Sequence, residues 1–153
     1  MATSDDAKRA WSERDSAQFI ELGRIFTPAR DDIQRAILDL IPAERDEVFV
    51  AVELRVVAGW LSAALLEGFP AARVIGFDGS PAMLRETETR LSPFAGRYTL
   101  RSFQLEESTW QTDAERLAGS GGVRCVGISL VIHHLDGEGK RALYRDLHRL
   151  LGP

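Results

Sequence analysis

Residues 50–84 read VAVELRVVAGWLSAALLEGFPAARVIGFDGSPAML. The apolar run leading into them, Val48-Phe49-Val50-Ala51-Val52, lacks polar alternation, the pattern of a strand buried on both faces of a parallel sheet. Helical spacing follows at Leu61, Ala64, Leu65 and Phe69, closed by Gly68 and Pro70. A second strand, Arg73-Val74-Ile75-Gly76-Phe77, ends at Asp78. Ser80-Pro81 then supplies a hydroxyl N-cap and a proline at the first helical position, and Met83, Leu84, Thr87 and Leu91 form the inner face of the helix. Strands alternating with helices of this length imply right-handed crossovers and a parallel sheet.

The pattern continues on both sides. Residues 98–103 are a third strand candidate, 109–117 carry weak helical text, 119–122 are a glycine-rich turn, and 123–132 are a fourth apolar strand. The last helix carries Leu143, Leu147, Leu150 and Leu151 on one stripe opposite Lys140, Arg141, Arg145 and Arg149, and ends at Gly152-Pro153. Upstream, Thr27-Pro28 reads as a helix start, with Ile33, Ala36, Ile37, Leu40 and Ile41 as its apolar face and Pro42 as its stop. Residues 1–16, polar around Trp11, read as a leader or loose helix. The expected organisation is an N-terminal leader or helical region, 1–25, and one α/β domain, 26–153, with a three-layer, doubly wound, mainly parallel sheet. Ligands of such sheets bind beyond the carboxyl ends of the strands, where strand order switches.

Composition narrows the partners. The 153 residues carry a net charge of -4, and their 19 basic residues are scattered, so nothing marks a nucleic-acid surface. The N-terminus lacks signal-peptide order and no apolar run nears the ~20 residues of a membrane span. One cysteine, Cys125, makes no intramolecular disulfide, which fits a reducing cytoplasm.

Residues 50–84, with GISLVIHHLDGEGKRALYRDLHRLLGP at 127–153, resemble class I, Rossmann-like S-adenosylmethionine-dependent methyltransferases, in the cofactor-binding portion of the family. The resemblance covers about residues 26–153 and implies S-adenosylmethionine as cofactor. By position, Asp78 accepts from the ribose hydroxyls, with Gly79 and Met83 following it; as chemistry alone, Asp-Gly-Ser-Pro is also an ordinary turn. Glu53 resembles the acid beside the methionine moiety, or is a loop carboxylate satisfied by backbone amides. Gly59 matches the last glycine of the cofactor loop. Gln104 and Leu105 stand where the family often has an acid at the adenine amino group, and a surface polar pair is the equal alternative. Ser129 ends the fourth strand near the methyl position.

The loop departs from the family at Arg55 and Val57, where small residues are usual. A β-branched residue is strained wherever φ is positive, and an arginine repels a sulfonium unless Glu53 or Asp78 neutralises it. The expectation is a reduced or lost cofactor affinity. His133 and His134 lack a third ligand at metal spacing and read as a packing turn, so no metal is assigned. Trp60 either lines the pocket or anchors the helix start. No catalytic base is identifiable.

The resemblance implies methyl transfer to a small-molecule acceptor, with a non-catalytic or engineered relative, disabled at the loop and acting as a partner or structural subunit, as the alternative. A nicotinamide-dependent oxidoreductase fits less well, since Arg55-Val56-Val57-Ala58-Gly59-Trp60 is not a pyrophosphate-cradling loop. Family members have later strands that this sequence does not reach. The apolar fourth strand would then be an open edge, and the expectation is a truncated domain or a homo-oligomer that covers it.

Overall fold

In a computed structural model, residues 12–104, 109–129 and 132–152 are described. Four strands, β1 (Val50–Leu54), β2 (Arg73–Asp78), β3 (Tyr98–Ser102) and β4 (Cys125–Ile128), form one parallel sheet in the order β3-β2-β1-β4. Strand order reverses between β1 and β4, which puts the switch point beside the carboxyl end of β1.

Side chains alternate across the sheet, and each set meets its own helices. Val50, Val52 and Leu54 of β1, with Ile75 and Phe77 of β2, pack on Trp110, Ala114 and Ala118 of α5 (Thr109–Ala118) and Leu143 of α6 (Gly137–Leu151). Ala51 and Val74 face the other way, onto Leu65 and Leu66 of α3 (Trp60–Gly68) and Leu91 of α4 (Pro81–Leu91). The result is the doubly wound, three-layer architecture expected from the strand–helix alternation. Trp110 is 2% exposed and meets Phe77 edge to face at 6.4 Å, so it is a core anchor.

Ser80 caps α4 as the sequence indicates, accepting from the Met83 amide at 3.2 Å. The N-terminal elements differ from expectation. Within the segment read as a leader or helical region, α1 (Glu13–Phe26) is started by a reciprocal capping box in which the Asp15 amide donates to Ser12 Oγ and the Ser12 amide to the Asp15 carboxylate. α1 docks on α4: Ser80 Oγ donates to Ser16 Oγ at 3.0 Å and the Ala82 amide to Glu13 Oε2 at 3.0 Å. Thr27 therefore ends α1 rather than starting α2; its amide donates to Gly23 O, and α2 (Arg30–Asp39) begins after Ala29 with no side-chain cap. The expected apolar face of α2 is only partly used. No residue of α2 is buried, and Ile33 and Leu40 are 45% and 82% exposed.

Two strand boundaries also move. Val48 is 78% exposed, and β1 starts at Val50 so that Glu53 lies within the strand. β4 is shorter than the apolar run at 123–132, since Ile132 belongs to a short 3-10 turn, Ile132–His134. β4 is the edge beyond the switch point, with no described strand outside it. No helix among the described residues is long and apolar enough to cross a membrane.

Candidate functional site at the strand-order switch

The connection after β1 does what its lack of glycine makes costly. Arg55, Val57 and Ala58 have φ of 61°, 40° and 65°, and Gly59 follows at 77°. Left-handed backbone costs an L-residue about 1–2 kcal/mol, most for a β-branched one, so three such residues persist only where neighbours over-determine them. The neighbours are identifiable. The Val56 amide donates to Phe77 O at 3.1 Å, extending the ladder with β2, and the Gly59 amide closes on Val56 O at 2.7 Å. Arg90 of α4 donates to Ala58 O and pairs with Glu86 at 2.9 Å. Its guanidinium also lies 3.8 Å from the ring centre of Trp60, while that of Arg30 lies 4.5 Å from it. Gly59 is required twice over: besides its positive φ, a Cβ there would lie 2.8 Å from Thr87 Cγ2.

Two buried carboxyls flank this loop. Glu53, 4% exposed, is held by the hydroxyl and amide of Ser62 on α3. Burial first, with a smaller push from nearby Asp78, raises its carboxyl to about 8 against the pull of Ser62. Asp78 is 1% exposed and accepts from the Ser80 amide at 2.9 Å and the Val57 amide at 3.4 Å. Burial raises its carboxyl too, opposed by these amides and the charge of Arg55. Arg55 thus interacts with Asp78 through its charge without forming an ion pair, and its buried Nε has no hydrogen-bond partner.

Glu53 and Ser129 both line a pocket of about 60 Å³ at the switch point, closed from above by the α1–α2 corner through Phe19, Thr27 and Arg30 and from the side by Val57 and Trp60. Thr27 Oγ1 is buried without a hydrogen-bond partner. Gly79 and Gln104 come together where β2 and β3 end: a Cβ on Gly79 would lie 2.9 Å from Phe103 O and 3.2 Å from Gln104 Oε1. Met83 is 4% exposed and its side chain belongs to the buried face of α4. Leu105, singled out with Gln104, lies outside the described residues. The His133 and His134 rings sit side by side in the short 3-10 turn, with centroids 4.1 Å apart.

Sequence reasoning missed Ser62, Thr87 and Arg90. Ser62 and Thr87 read as ordinary helix residues, and Arg90, four residues after Glu86, has the spacing of a surface ion pair; nothing local directs any of them to the loop.

Four parallel strands in this order, acidic residues closing β1 and β2, and a tight left-handed loop at the switch point define a Rossmann-like fold of the class I methyltransferase type. No family model matches the chain. The chain is 35% identical over 104 residues to ribosomal RNA small subunit methyltransferase H of Mycolicibacterium gilvum, a match covering 68% of this chain and 27% of that protein. The chain therefore spans about a quarter of the length of this curated relative. Among solved structures it is similar to an O-methyltransferase family protein from Burkholderia thailandensis, with a TM-score of 0.65 and 15% identity, covering 94% of this chain and 42% of that one. It is also similar to PKMT2 from Rickettsia typhi, solved with S-adenosylhomocysteine, with a TM-score of 0.54 and 15% identity, covering 69% of this chain and 19% of that one. The fold is thus Rossmann-like, and the chain is similar in it to class I methyltransferases.

The residues can be tested against that cofactor. The donor set is right in kind, an acid at the end of β2 and an acid beside the loop. In this conformation, however, Asp78 is turned onto its own chain's amides, and the pocket of about 60 Å³ falls well short of the roughly 300–1,000 Å³ of small-molecule sites.

Proposed function

We propose that the chain serves S-adenosylmethionine-dependent methyl transfer, with Asp78, Glu53 and the 55–59 loop as the cofactor side of the site. What carries the reading is the pair of acids on adjacent parallel strands, on either side of the left-handed loop, where strand order reverses. Gly59, Gly79, Met83, Gln104, Leu105 and Ser129 complete the proposed cofactor-binding set. A small-molecule acceptor is favoured. The relative named above is a ribosomal RNA methyltransferase, but a net charge of -4 without a basic stripe gives this chain no electrostatic grip on RNA. A second copy pairing along the open edge of β4 is the proposed protein partner.

The non-glycine residues at positive φ in the loop support a second reading, a methyltransferase-like chain that no longer binds cofactor and serves as a partner subunit. Calorimetric titration with S-adenosylmethionine and S-adenosylhomocysteine separates the two. Micromolar or tighter binding that Asp78→Ala abolishes supports the first; no binding by a chain with a cooperative melting transition refutes it in favour of the second.

A further inference from the structure

A half-enclosed chamber of about 170 Å³ opens beneath α2, on the face of the sheet away from α5 and α6. Ala51 and Cys125 contribute to its floor, Leu61 and Leu65 of α3 to one wall, and Ile37 and Ile41 to the other. Apart from the Cys125 thiol, the polar side chains of its lining are Glu53 and Ser62, hydrogen-bonded to each other. The chamber is thus an apolar box with one polar corner.

Its size and chemistry restrict the occupant. An apolar cavity of about 150 Å³ stays dry and admits benzene, so this one suits a single ring with one or two further heavy atoms. A charged ligand would be stranded among aliphatic side chains. Burial keeps the Glu53 carboxyl protonated at neutral pH, which leaves it able both to donate and to accept one neutral hydrogen bond. Burial likewise pushes the Cys125 thiol up to about 11, so that wall too is uncharged. An entry path exists, because α2 has no buried residue and Leu40 at its end, itself part of the lining, is 82% exposed.

We propose that this chamber is a binding site for a small, neutral, mainly apolar molecule the size of a phenol, whose hydroxyl is held by Glu53 and Ser62. The chamber adjoins the switch-point pocket, and binding there requires no methyl transfer. Ile37, Glu53 and Leu61 line both, so its occupant sits one side-chain layer from the loop.

The test titrates the full chain with phenol and with toluene, following the melting temperature and the rate of Cys125 alkylation. Phenol is expected to raise the melting temperature saturably and to slow alkylation in proportion to its occupancy. Toluene is expected to bind at least about threefold more weakly, the loss of one neutral hydrogen bond. Cys125→Phe, which places a ring in the chamber, is expected to abolish the phenol shift, and Ile41→Phe serves the same purpose from the outer wall should the first variant fail to fold. No saturable effect of phenol up to its solubility limit, unprotected Cys125, equal binding of toluene, or an unchanged shift in a folded filled variant each overturns the proposal.

Discussion

Replacing Glu53 by glutamine keeps the size of the side chain and a partner for Ser62 but removes the ionisable proton. Burial moves this carboxyl from 4.5 to about 8, opposed by Ser62 and reinforced by Asp78. An acid whose pKa is raised by folding binds more protons in the folded state than in the unfolded one. Its contribution to stability is therefore complete below pH 4.5 and is lost as pH rises toward about 8. Each pH unit within that window costs about 1.4 kcal/mol, which leaves the chain at pH 7 roughly 3 kcal/mol below its acid-side value on account of this one group. Asp78 is shifted in the same direction, also by burial first, and adds to the slope. Glu53→Gln is expected to stabilise the chain at pH 7 by about 2–3 kcal/mol, less any loss in the Ser62 hydrogen bond, and to flatten the decline between pH 5 and pH 8. Urea denaturation of both proteins at unit steps from pH 5 to pH 8 measures this. A wild-type midpoint that does not fall over the range, or a gap between the proteins that does not widen with pH, refutes the reasoning.

The loop supplies two further expectations. Val57→Gly removes a β-branched residue at a φ of 40° and is expected to raise stability by up to about 1 kcal/mol, the strain relieved less the added unfolded-state entropy; combined with Arg55→Gly it should tighten S-adenosylhomocysteine binding in calorimetry, and unchanged binding would show that the loop residues are not what limits affinity. Arg90→Met deletes the donor to Ala58 O and one of the two cations beside Trp60, with an expected loss of about 2–3 kcal/mol in thermal denaturation and a change in Trp60 emission; a melting temperature and emission spectrum equal to wild type would exclude the clamp.

The architecture was legible because it rests on patterns every segment repeats. The uninterrupted apolar text of β1 and β2 and the Ser80-Pro81 cap each encode their element locally, whereas the strand order β3-β2-β1-β4 is set by long-range pairing that no local pattern encodes. Failures came where two local signals competed. Thr27-Pro28 is a sound helix start read alone, but the Ser12–Asp15 capping box launches a helix upstream that reaches Phe26 and claims Thr27 as its end. Val48 belongs to the apolar run by composition yet precedes the first residue with a pairing partner, so it faces solvent.

The site divides along the same line. That Val57 would be strained could be read from its type and place, since it needs only local geometry. That the strain is sustained could not, because the compensating residue, Arg90, lies 32 positions from the carbonyl it holds, on a helix whose sequence explains it fully without the loop. Asp78 is the instructive intermediate. Its position at the end of β2 was correct, and so was the turn chemistry of Asp-Gly-Ser-Pro that stood as the rival reading, because the same carboxylate accepts from Ser80 and Val57 now and is the acid a ribose would need. The two readings are therefore compatible in one residue. Asp78 accepts from the Val57 and Ser80 amides, and a carboxylate has about four lone-pair sites, so the same group that helps hold the left-handed loop in place keeps capacity to accept from a ligand hydroxyl.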